Sequence, residues 1–116
     1  MAEVFPEGIR SLPRAAIPLK GVNAYLSQSD SHQVIFMKFD EEVELTEHSH
    51  ESQWAVVVEG KIDMIIDGVD HTFQKGDSYY IPRGVKHSGK IYAGYADVTF
   101  FNQKDRYEKL ETEGIE

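Results

Sequence analysis

The chain contains no cysteine among its 116 residues, and this absence restricts its chemistry. Without thiols there are no disulfides and no thiolate ligands, which fits a reducing cytoplasm. Any bound metal must therefore be held by nitrogen and oxygen donors, which leaves zinc, iron, nickel, manganese, cobalt or copper. We accordingly expect a cytoplasmic protein in which imidazoles, amides or carboxylates do the binding.

Long apolar runs are also missing. No stretch approaches the roughly 20 apolar residues that cross a bilayer, which argues against a transmembrane segment. Residues 1–7 have neither the basic nor the apolar region of a secretory signal, so none is expected. Basic residues are few, 12 against 20 acidic ones, and the net charge is −8. Such a surface repels phosphate groups, which argues against nucleic acid and anionic membranes as partners.

At this length the chain is expected to form one domain, since two cores would each be too small. Residues 1–20 carry three prolines and are predicted to be an N-terminal arm. Residues 21–103 contain short β-rich segments at about ten-residue spacing with no helical period, which predicts an antiparallel all-β barrel or sandwich. Residues 104–116 are charged and are predicted to be a C-terminal tail, either a short helix or irregular chain.

The predicted strands are bounded by turn residues. They cover residues 23–26, 33–39, 43–46, 54–58, 61–66, 69–73, 78–81 and 94–101. Segments 54–58 and 61–66, separated by Glu59-Gly60, are interpreted as a hairpin. Asp67-Gly68 is the strongest tight-turn signal in the chain and is expected to join the next pair.

Potential metal ligands occur first at His48, His50 and Gln53. On a strand, residues two apart share a face, so the two imidazoles are expected to project together. Gln53 is out of phase by one residue and joins them only if the chain bends or bulges. Glu51 is the substitute ligand if Gln53 points away. A His-x-His pair on an acidic surface is also typical of a solvated loop.

A third imidazole, His87, follows the stiff turn Pro82-Arg83-Gly84. Together with the first cluster it predicts a divalent-metal site that leaves one or two coordination positions open. His32 and His71 have no such context and are interpreted as surface or partly buried residues.

Several side chains are candidates to face the interior near a bound ion. They are Tyr25, Met37, Trp54, Tyr80, Asp97, Thr99 and Phe101. We predict that the aromatic ones, Tyr25, Trp54, Tyr80 and Phe101, bind substrate. Asp97 either faces solvent or enters the cavity as an acid or base, and by strand parity it shares a face with Thr99 and Phe101.

Residues 42–91 resemble the two motifs of the cupin superfamily. Gly76-x5-Pro82-x-Gly84-x2-His87 is similar to the second motif, although Ile91 replaces its usual Asn. His48, His50 and Gly60 match the first, with Gln53 where the family usually has Glu and with no leading Gly. The resemblance implies a double-stranded β-helix, or jelly-roll barrel, in which His48, His50, His87 and Gln53 hold a divalent metal.

The chain further resembles small single-domain cupins of the cupin-2 and KdgF type, which ketonise 4,5-unsaturated monouronates from pectin and alginate. Those proteins add an Asp on the last strand, a Phe two residues on and an Arg four residues later. Asp97 matches, Thr99 stands at the Phe position and Arg106 comes late. The resemblance implies catalytic roles for Asp97 and Arg106.

The resemblance also implies a homodimer. Apolar arm residues without an obvious intrachain strand partner, such as Ile9, Leu12 and Ile17, favour the same expectation.

An amide in place of a carboxylate leaves the ion its full positive charge, which favours anionic ligands and acidifies bound water. We therefore expect Lewis-acid or proton-transfer chemistry on a small carboxylate-bearing substrate of the sugar-acid type in the barrel. One alternative is a non-catalytic cupin that binds metal and a small ligand. A third is an iron-dependent dioxygenase, although the donor set departs from the two-His-one-carboxylate site of many such enzymes. Fold membership does not choose among them.

Overall fold

Two antiparallel sheets face each other in the computed structural model, which describes residues 3–110. Within that range one short helix and nine strands follow in chain order. They are α1 (Glu7–Arg10), β1 (Val22–Gln28), β2 (Gln33–Phe39), β3 (Val43–His48), β4 (Gln53–Glu59), β5 (Lys61–Ile66), β6 (Val69–Gln74), β7 (Ser78–Ile81), β8 (His87–Ile91) and β9 (Ala96–Phe101). None of the described helices has the length and apolar character needed to cross a bilayer.

One sheet has the strand order β1-β2-β9-β4-β7 and the other β3-β8-β5-β6. Side chains alternate between the interior and the outer face, as β2 illustrates: Gln33, Ile35, Met37 and Phe39 are buried, and the residues between them are half-buried. The inward rows of both sheets form one apolar core with a cavity at its centre. The prediction of an all-β jelly roll is confirmed.

The predicted hairpin between segments 54–58 and 61–66 is wrong. β4 pairs with β7 and β9, whereas β5 pairs with β6 and β8, so the chain crosses from one sheet to the other at Gly60. Gly60 has a φ of 72°, and a Cβ there would lie 2.8 Å from Tyr95 Cα. Two adjacent β-rich segments around a glycine indicate a turn but not whether the strands on either side belong to the same sheet.

Asp67-Gly68 does form the predicted tight turn. Ile66 pairs with Val69, and the two turn residues have φ values of 52° and 79°. Positive φ at both central positions matches the right-handed twist of the flanking strands.

Strand β8 was not predicted. Its sequence, His87-Ser88-Gly89-Lys90-Ile91, has little β propensity, and a glycine in the middle of a segment is a signal against a strand. In the structure, a Cβ at Gly89 would lie 2.5 Å from the Asp63 carbonyl oxygen. Glycine is therefore needed because the backbones of β5 and β8 approach closely.

The N-terminal arm pairs within its own chain. Arg14 bridges to Tyr25 and Ala15 to Lys109, and the Ala16 N–H donates to the Glu108 carbonyl at 2.8 Å. The arm therefore has strand-type bridges within the chain at Arg14 and Ala15, and Ile17 beside them packs against the core of the same chain. The predicted tail is irregular as far as residue 110; residues 111–116 lie outside the described part.

Replacing Gly60 by alanine is expected to destabilise the fold by more than the roughly 1–2 kcal/mol of a left-handed residue. The added Cβ would also collide with the Tyr95 backbone. Gly68→Ala is the matched control, because its φ is 79° but nothing lies within 4 Å of the added atom. Denaturant unfolding of both variants measures the difference; equal losses would contradict the close-approach explanation.

Candidate metal centre

Three imidazoles converge where β3 ends and β8 begins. His48 is the last residue of β3 and lies directly opposite His87, the first residue of β8. Their ring centroids are 4.3 Å apart. His50 lies in the connection between β3 and β4, with its centroid 5.3 Å from that of His48 and 4.8 Å from that of His87. One ring nitrogen of each lies within 4.8 Å of the other two, a group that could hold a divalent metal ion.

The same nitrogen of each ring is bound to the main chain. The Nδ1 atoms of His48, His50 and His87 lie 2.7, 2.7 and 2.9 Å from the carbonyl oxygens of Thr46, Glu51 and Val85. Since a carbonyl only accepts, each Nδ1 carries the proton and each Nε2 keeps its lone pair. Metal-ligating histidines are typically fixed in this way.

His87 Nε2 provides the test of whether these residues suit a metal. It is buried and has no hydrogen-bond partner within residues 3–110. A buried nitrogen lone pair without a partner is costly. A cation held jointly by the three Nε2 atoms would satisfy it, so the donor set fits a divalent metal.

Burial favours the neutral form of two of these imidazoles, His50 and His87, and the neutral form is the one that binds a metal. Desolvation lowers the pKa of His50 to about 4, and the positive charge of Arg106 acts in the same direction. Desolvation also lowers the pKa of His87. At neutral pH both rings therefore retain the lone pair that a metal requires.

Gln53 is the first residue of β4, is buried and lines the same cavity as the three histidines. Sequence analysis required a bend before Gln53 for its side chain to join those of the two histidines. That bend is present, because residues 49–52 leave the strand and form a connection between the two sheets. The alternative ligand, Glu51, directs its carboxylate to Arg83, with Oε2 3.4 Å from Nε. The fourth-ligand role of Gln53 stays a prediction.

A cavity of about 350 Å³ extends from the three histidines between the sheets. Apolar side chains from both sheets and from the arm form most of its wall; among them are Ile17, Leu19, Met37, Phe39, Ile62, Met64, Ile91 and Phe101. Phe101 also contacts the His50 ring edge to face, with centroids 5.4 Å apart. The arm residues of this wall were not predicted, because they lack strand periodicity.

Asp97 points into this cavity and is 2% exposed. The Tyr95 hydroxyl donates to its Oδ2, and Thr99 Oγ1 donates to its Oδ1 at 3.1 Å. Burial raises the pKa of Asp97 to about 7, and the two donated hydrogen bonds offset part of that effect. Of the two placements considered for this residue, the structure shows the interior one. Tyr95 in turn lies 3.4 Å from the Tyr79 hydroxyl.

Arg106 also lines the cavity, despite its late position in the sequence. Its guanidinium lies over the rings of Tyr107 and Phe101, at 4.4 and 5.6 Å from their centroids. Its Nε is buried and has no partner within the described residues. Among the carboxylates of residues 3–110, none therefore pairs with the guanidinium of Arg106 through its Nε atom.

Gln33 explains how residues after β9 reach the cavity. This fully buried amide makes a two-point contact with the main chain of Tyr107: its Nε2 donates to the carbonyl at 2.7 Å, and its Oε1 accepts from the N–H at 3.0 Å. Gln28 adds a hydrogen bond to the Lys104 carbonyl at 2.8 Å. Sequence reasoning missed Gln33, although a glutamine in the inward row of an apolar strand was a visible signal.

Three of the predicted substrate-binding aromatics lie outside the cavity. Trp54 and Tyr80 are 47% and 58% exposed, and Tyr25 is outward on β1, packed on Phe5. The physical reason is strand parity, since Gln53 and Ala55, Tyr79 and Ile81, and Ala24 and Leu26 occupy the inward positions. Phe101 alone of the four lines the cavity.

His32 and His71 lie away from the centre, as expected.

The sequence matches the cupin domain family over residues 34–100. The chain belongs to the cupin family. No curated protein matches it. Among solved structures it is similar to an RmlC-like cupin from Shewanella frigidimarina, at 26% identity and a TM-score of 0.72, with 90% of this chain and 94% of that chain covered.

The chain is also similar to KdgF from Halomonas sp., at 20% identity and a TM-score of 0.66, with 78% and 87% of the two chains covered. Oxalate decarboxylase of Bacillus subtilis matches at 19% identity and a TM-score of 0.69, with 88% of this chain but 31% of that one covered. These two likenesses show the fold alone. The family and the resemblance to small cupins predicted from the sequence are confirmed.

Purified protein is expected to retain about one divalent ion per chain, measured by elemental analysis. His87→Ala should weaken metal binding by more than about 100-fold. It removes a metal ligand itself, whereas loss of a residue that only orients a ligand typically costs roughly 10- to 100-fold. The matched control is His71→Ala, at an exposed residue outside the site. Equal metal content in the two variants would show that the histidine group is not the binding site.

Burial of Asp97 gives a pH dependence of stability with a defined sign. Its pKa is raised from 3.8 to about 7, so between those values the unfolded carboxyl ionises while the folded one stays protonated. Stability from this group is therefore lost as pH rises through that range.

Asp97→Asn should remove this loss and gain about 2–4 kcal/mol relative to the native chain between pH 4 and pH 8. Unfolding is measured with a chelator present, so that metal binding does not contribute. The lowered histidine pKa values act in the opposite direction but cancel in the difference between the two proteins. A difference that does not change with pH would contradict an ionisable, buried Asp97.

Proposed function

We propose that this cupin is a metal-dependent enzyme that acts on a small carboxylate-bearing substrate by Lewis-acid and proton-transfer chemistry. The observation that carries the proposal is the content of one cavity: three convergent Nε2 atoms, the buried acid Asp97 and the cation Arg106. A binding module needs the cavity and the ion, but it does not need an acid with a pKa near neutrality.

The cavity favours a substrate that has both an anionic end and an apolar ring face. Arg106 offers a guanidinium against Phe101 and Tyr107, which suits a carboxylate that arrives beside the rings. The remaining wall is largely apolar, and its volume of about 350 Å³ is adequate for a single monosaccharide-sized ligand. A monouronate meets these requirements.

His48, His50 and His87, with Gln53 as the proposed fourth ligand, would hold the ion. When bound, the ion would supply a positive charge that polarises substrate oxygens and acidifies a bound hydroxyl. With neutral imidazoles and a neutral amide around it, that charge would not be reduced by the protein.

Asp97 is the proposed acid and base. Because burial raises its pKa to about 7, both the protonated and the ionised form are populated near neutral pH. A group of that kind is suited to giving and taking a proton in one cycle. The hydroxyls of Tyr95 and Thr99 donate hydrogen bonds to the two carboxyl oxygens, which fixes the orientation of the carboxyl group in the cavity.

The specific reaction that we propose is ketonisation of a 4,5-unsaturated monouronate. A proton leaves the hydroxyl of the hemiacetal carbon, the ring C–O bond breaks, and the alkene carbon gains a proton as the ring oxygen becomes a ketone. No atoms are added, so substrate and product are isomers. The resemblance to KdgF-type cupins and the match of Asp97 to their last-strand acid support this choice.

Metal-loaded protein is expected to accelerate the loss of ultraviolet absorbance of an unsaturated monouronate relative to a protein-free control. Asp97→Asn should reduce kcat by about 100-fold or more while metal content is unchanged. Arg106→Gln should mainly raise KM, because it removes the partner of the carboxylate. His71→Ala serves as the control that should behave as the native protein.

Decay no faster than without protein would contradict the ketonisation. Binding of the uronate without turnover would favour the non-catalytic module, and oxygen uptake with an organic substrate would favour the dioxygenase. Each outcome is read with the same metal-loaded preparation.

A further inference from the structure

Tyr107 is a cavity residue whose hydroxyl the proposed chemistry does not use. Its side chain lines the same cavity as Asp97 and Arg106. Burial raises the pKa of its hydroxyl, and the carboxyl of Asp97 acts in the same direction, whereas the positive charge of Arg106 opposes the shift. The phenol therefore stays protonated at neutral pH and can donate a hydrogen bond.

The hydroxyl of Tyr107 makes no hydrogen bond to any residue from 3 to 110. In that range, the hydrogen bonds of Tyr107 are those between its main chain and Gln33. The hydroxyl is not enclosed by protein either, since the enclosed side-chain atoms without a partner in this part of the chain are Arg14 Nε, His87 Nε2 and Arg106 Nε. An accessible, unpaired polar atom in a largely apolar wall is available to a ligand.

The other hydroxyls beside Asp97 are already bound to protein partners. Tyr95 and Thr99 donate to the two carboxyl oxygens of Asp97. Tyr79 lies 3.4 Å from the Tyr95 hydroxyl, and it is the donor of that pair because the Tyr95 proton is directed to Asp97. Of these four hydroxyls, that of Tyr107 is therefore the one that can donate to a substrate without breaking an existing hydrogen bond.

The ring of Tyr107 is held in a fixed position next to Arg106. The guanidinium lies over the ring face, 4.4 Å from the centroid. Phe101 packs against the same ring edge to face, with centroids 5.8 Å apart and an interplanar angle of 79°. Gln33 holds the main chain of Tyr107 at both its N–H and its carbonyl. The cation and the hydroxyl thus belong to one stacked pair and lie a few ångströms apart.

We propose that Tyr107 is a specificity-determining residue that donates its hydroxyl to a substrate oxygen on the carbon next to the carboxylate. The inference rests on the proposed function, because it takes the carboxylate to be bound by Arg106. A cation and a donor at this short separation match oxygens on neighbouring carbons, and not oxygens at opposite ends of a sugar ring. The substrate class is therefore carboxylates with an ether or hydroxyl oxygen on the adjacent carbon. In an unsaturated monouronate, that atom is the ring oxygen.

The ring oxygen is also the atom at which negative charge develops in the proposed ring opening. When its bond to the hemiacetal carbon breaks, the electron pair moves to this oxygen, and the charge disappears when the alkene carbon gains its proton. A donor already placed at the oxygen stabilises the charge between those two events. Because burial raises its pKa, Tyr107 keeps its own proton, so Asp97 remains the acid and base.

The experiment compares two ligands that have the same charge and nearly the same shape. Tetrahydropyran-2-carboxylate has a ring oxygen next to its carboxylate, whereas cyclohexanecarboxylate has a methylene group in that place. Neither can be ketonised, so their binding does not depend on whether the proposed reaction takes place. Dissociation constants for the full chain are measured by isothermal titration calorimetry, first with metal-loaded protein and then in the presence of a chelator.

The native chain is expected to bind tetrahydropyran-2-carboxylate about 2- to 10-fold more tightly than cyclohexanecarboxylate, the range for one neutral hydrogen bond. Tyr107→Phe should remove this preference and leave the affinity for cyclohexanecarboxylate unchanged, because only the hydroxyl is lost. Tyr80→Phe is the matched control, since it removes the hydroxyl of a tyrosine that is 58% exposed and outside the cavity. With the unsaturated monouronate, Tyr107→Phe should lower kcat by about 10-fold or more and Tyr80→Phe should not.

Three outcomes would overturn the proposal. The first is a native chain that binds both ligands equally or binds neither, a result that requires no variant. The second is a preference that survives Tyr107→Phe as well as it survives Tyr80→Phe. The third is a preference that disappears with the chelator, which would assign it to the ion. A preference that depends on Tyr107, together with no turnover of the monouronate, would support this inference and contradict the ketonisation.

Discussion

The antiparallel pairing of β3 with β8 at His48 and His87 is the constraint on which the candidate site depends. It pairs two residues that are 39 positions apart in the sequence, and it places their ring centroids 4.3 Å from each other. The main-chain carbonyls then hold each Nδ1, which leaves the three Nε2 atoms free. Without that register, His48 and His50 would be a pair on an acidic loop.

The interior of the barrel contains imidazoles and a carboxyl group, and burial disfavours the charged form of each. Desolvation lowers the pKa values of His50 and His87 and raises the pKa of Asp97, and the guanidinium of Arg106 lies in the same cavity. These pKa shifts favour the forms that the proposed chemistry uses, namely imidazoles with lone pairs and an acid that exchanges its proton near neutral pH. Gln33 links the barrel to this chemistry, since its two-point contact with Tyr107 holds the segment that carries Arg106.

Strand parity divides the aromatic residues between the two faces of the five-stranded sheet. On β9, Phe101 faces the cavity and Phe100 the outside, and on β4 the inward Gln53 is followed by the outward Trp54. A single-residue shift of register would exchange these roles. The same sheet thus presents a cavity wall on one side and an exposed aromatic surface on the other.

Alternation, turn residues and motif spacing are local signals, so they were enough to predict the β class, the Asp67-Gly68 turn and the histidine cluster, together with several strands such as Gln33–Phe39 and Ser78–Ile81. Those signals do not show that β4 and β5 lie in different sheets, that Gly89 belongs to a strand, or that Trp54 and Tyr80 face outward. These features, and the entry of Arg106 into the cavity, arise only in the folded chain, because they depend on close backbone approach, on the choice of sheet partner and on a buried amide contact between residues distant in the chain.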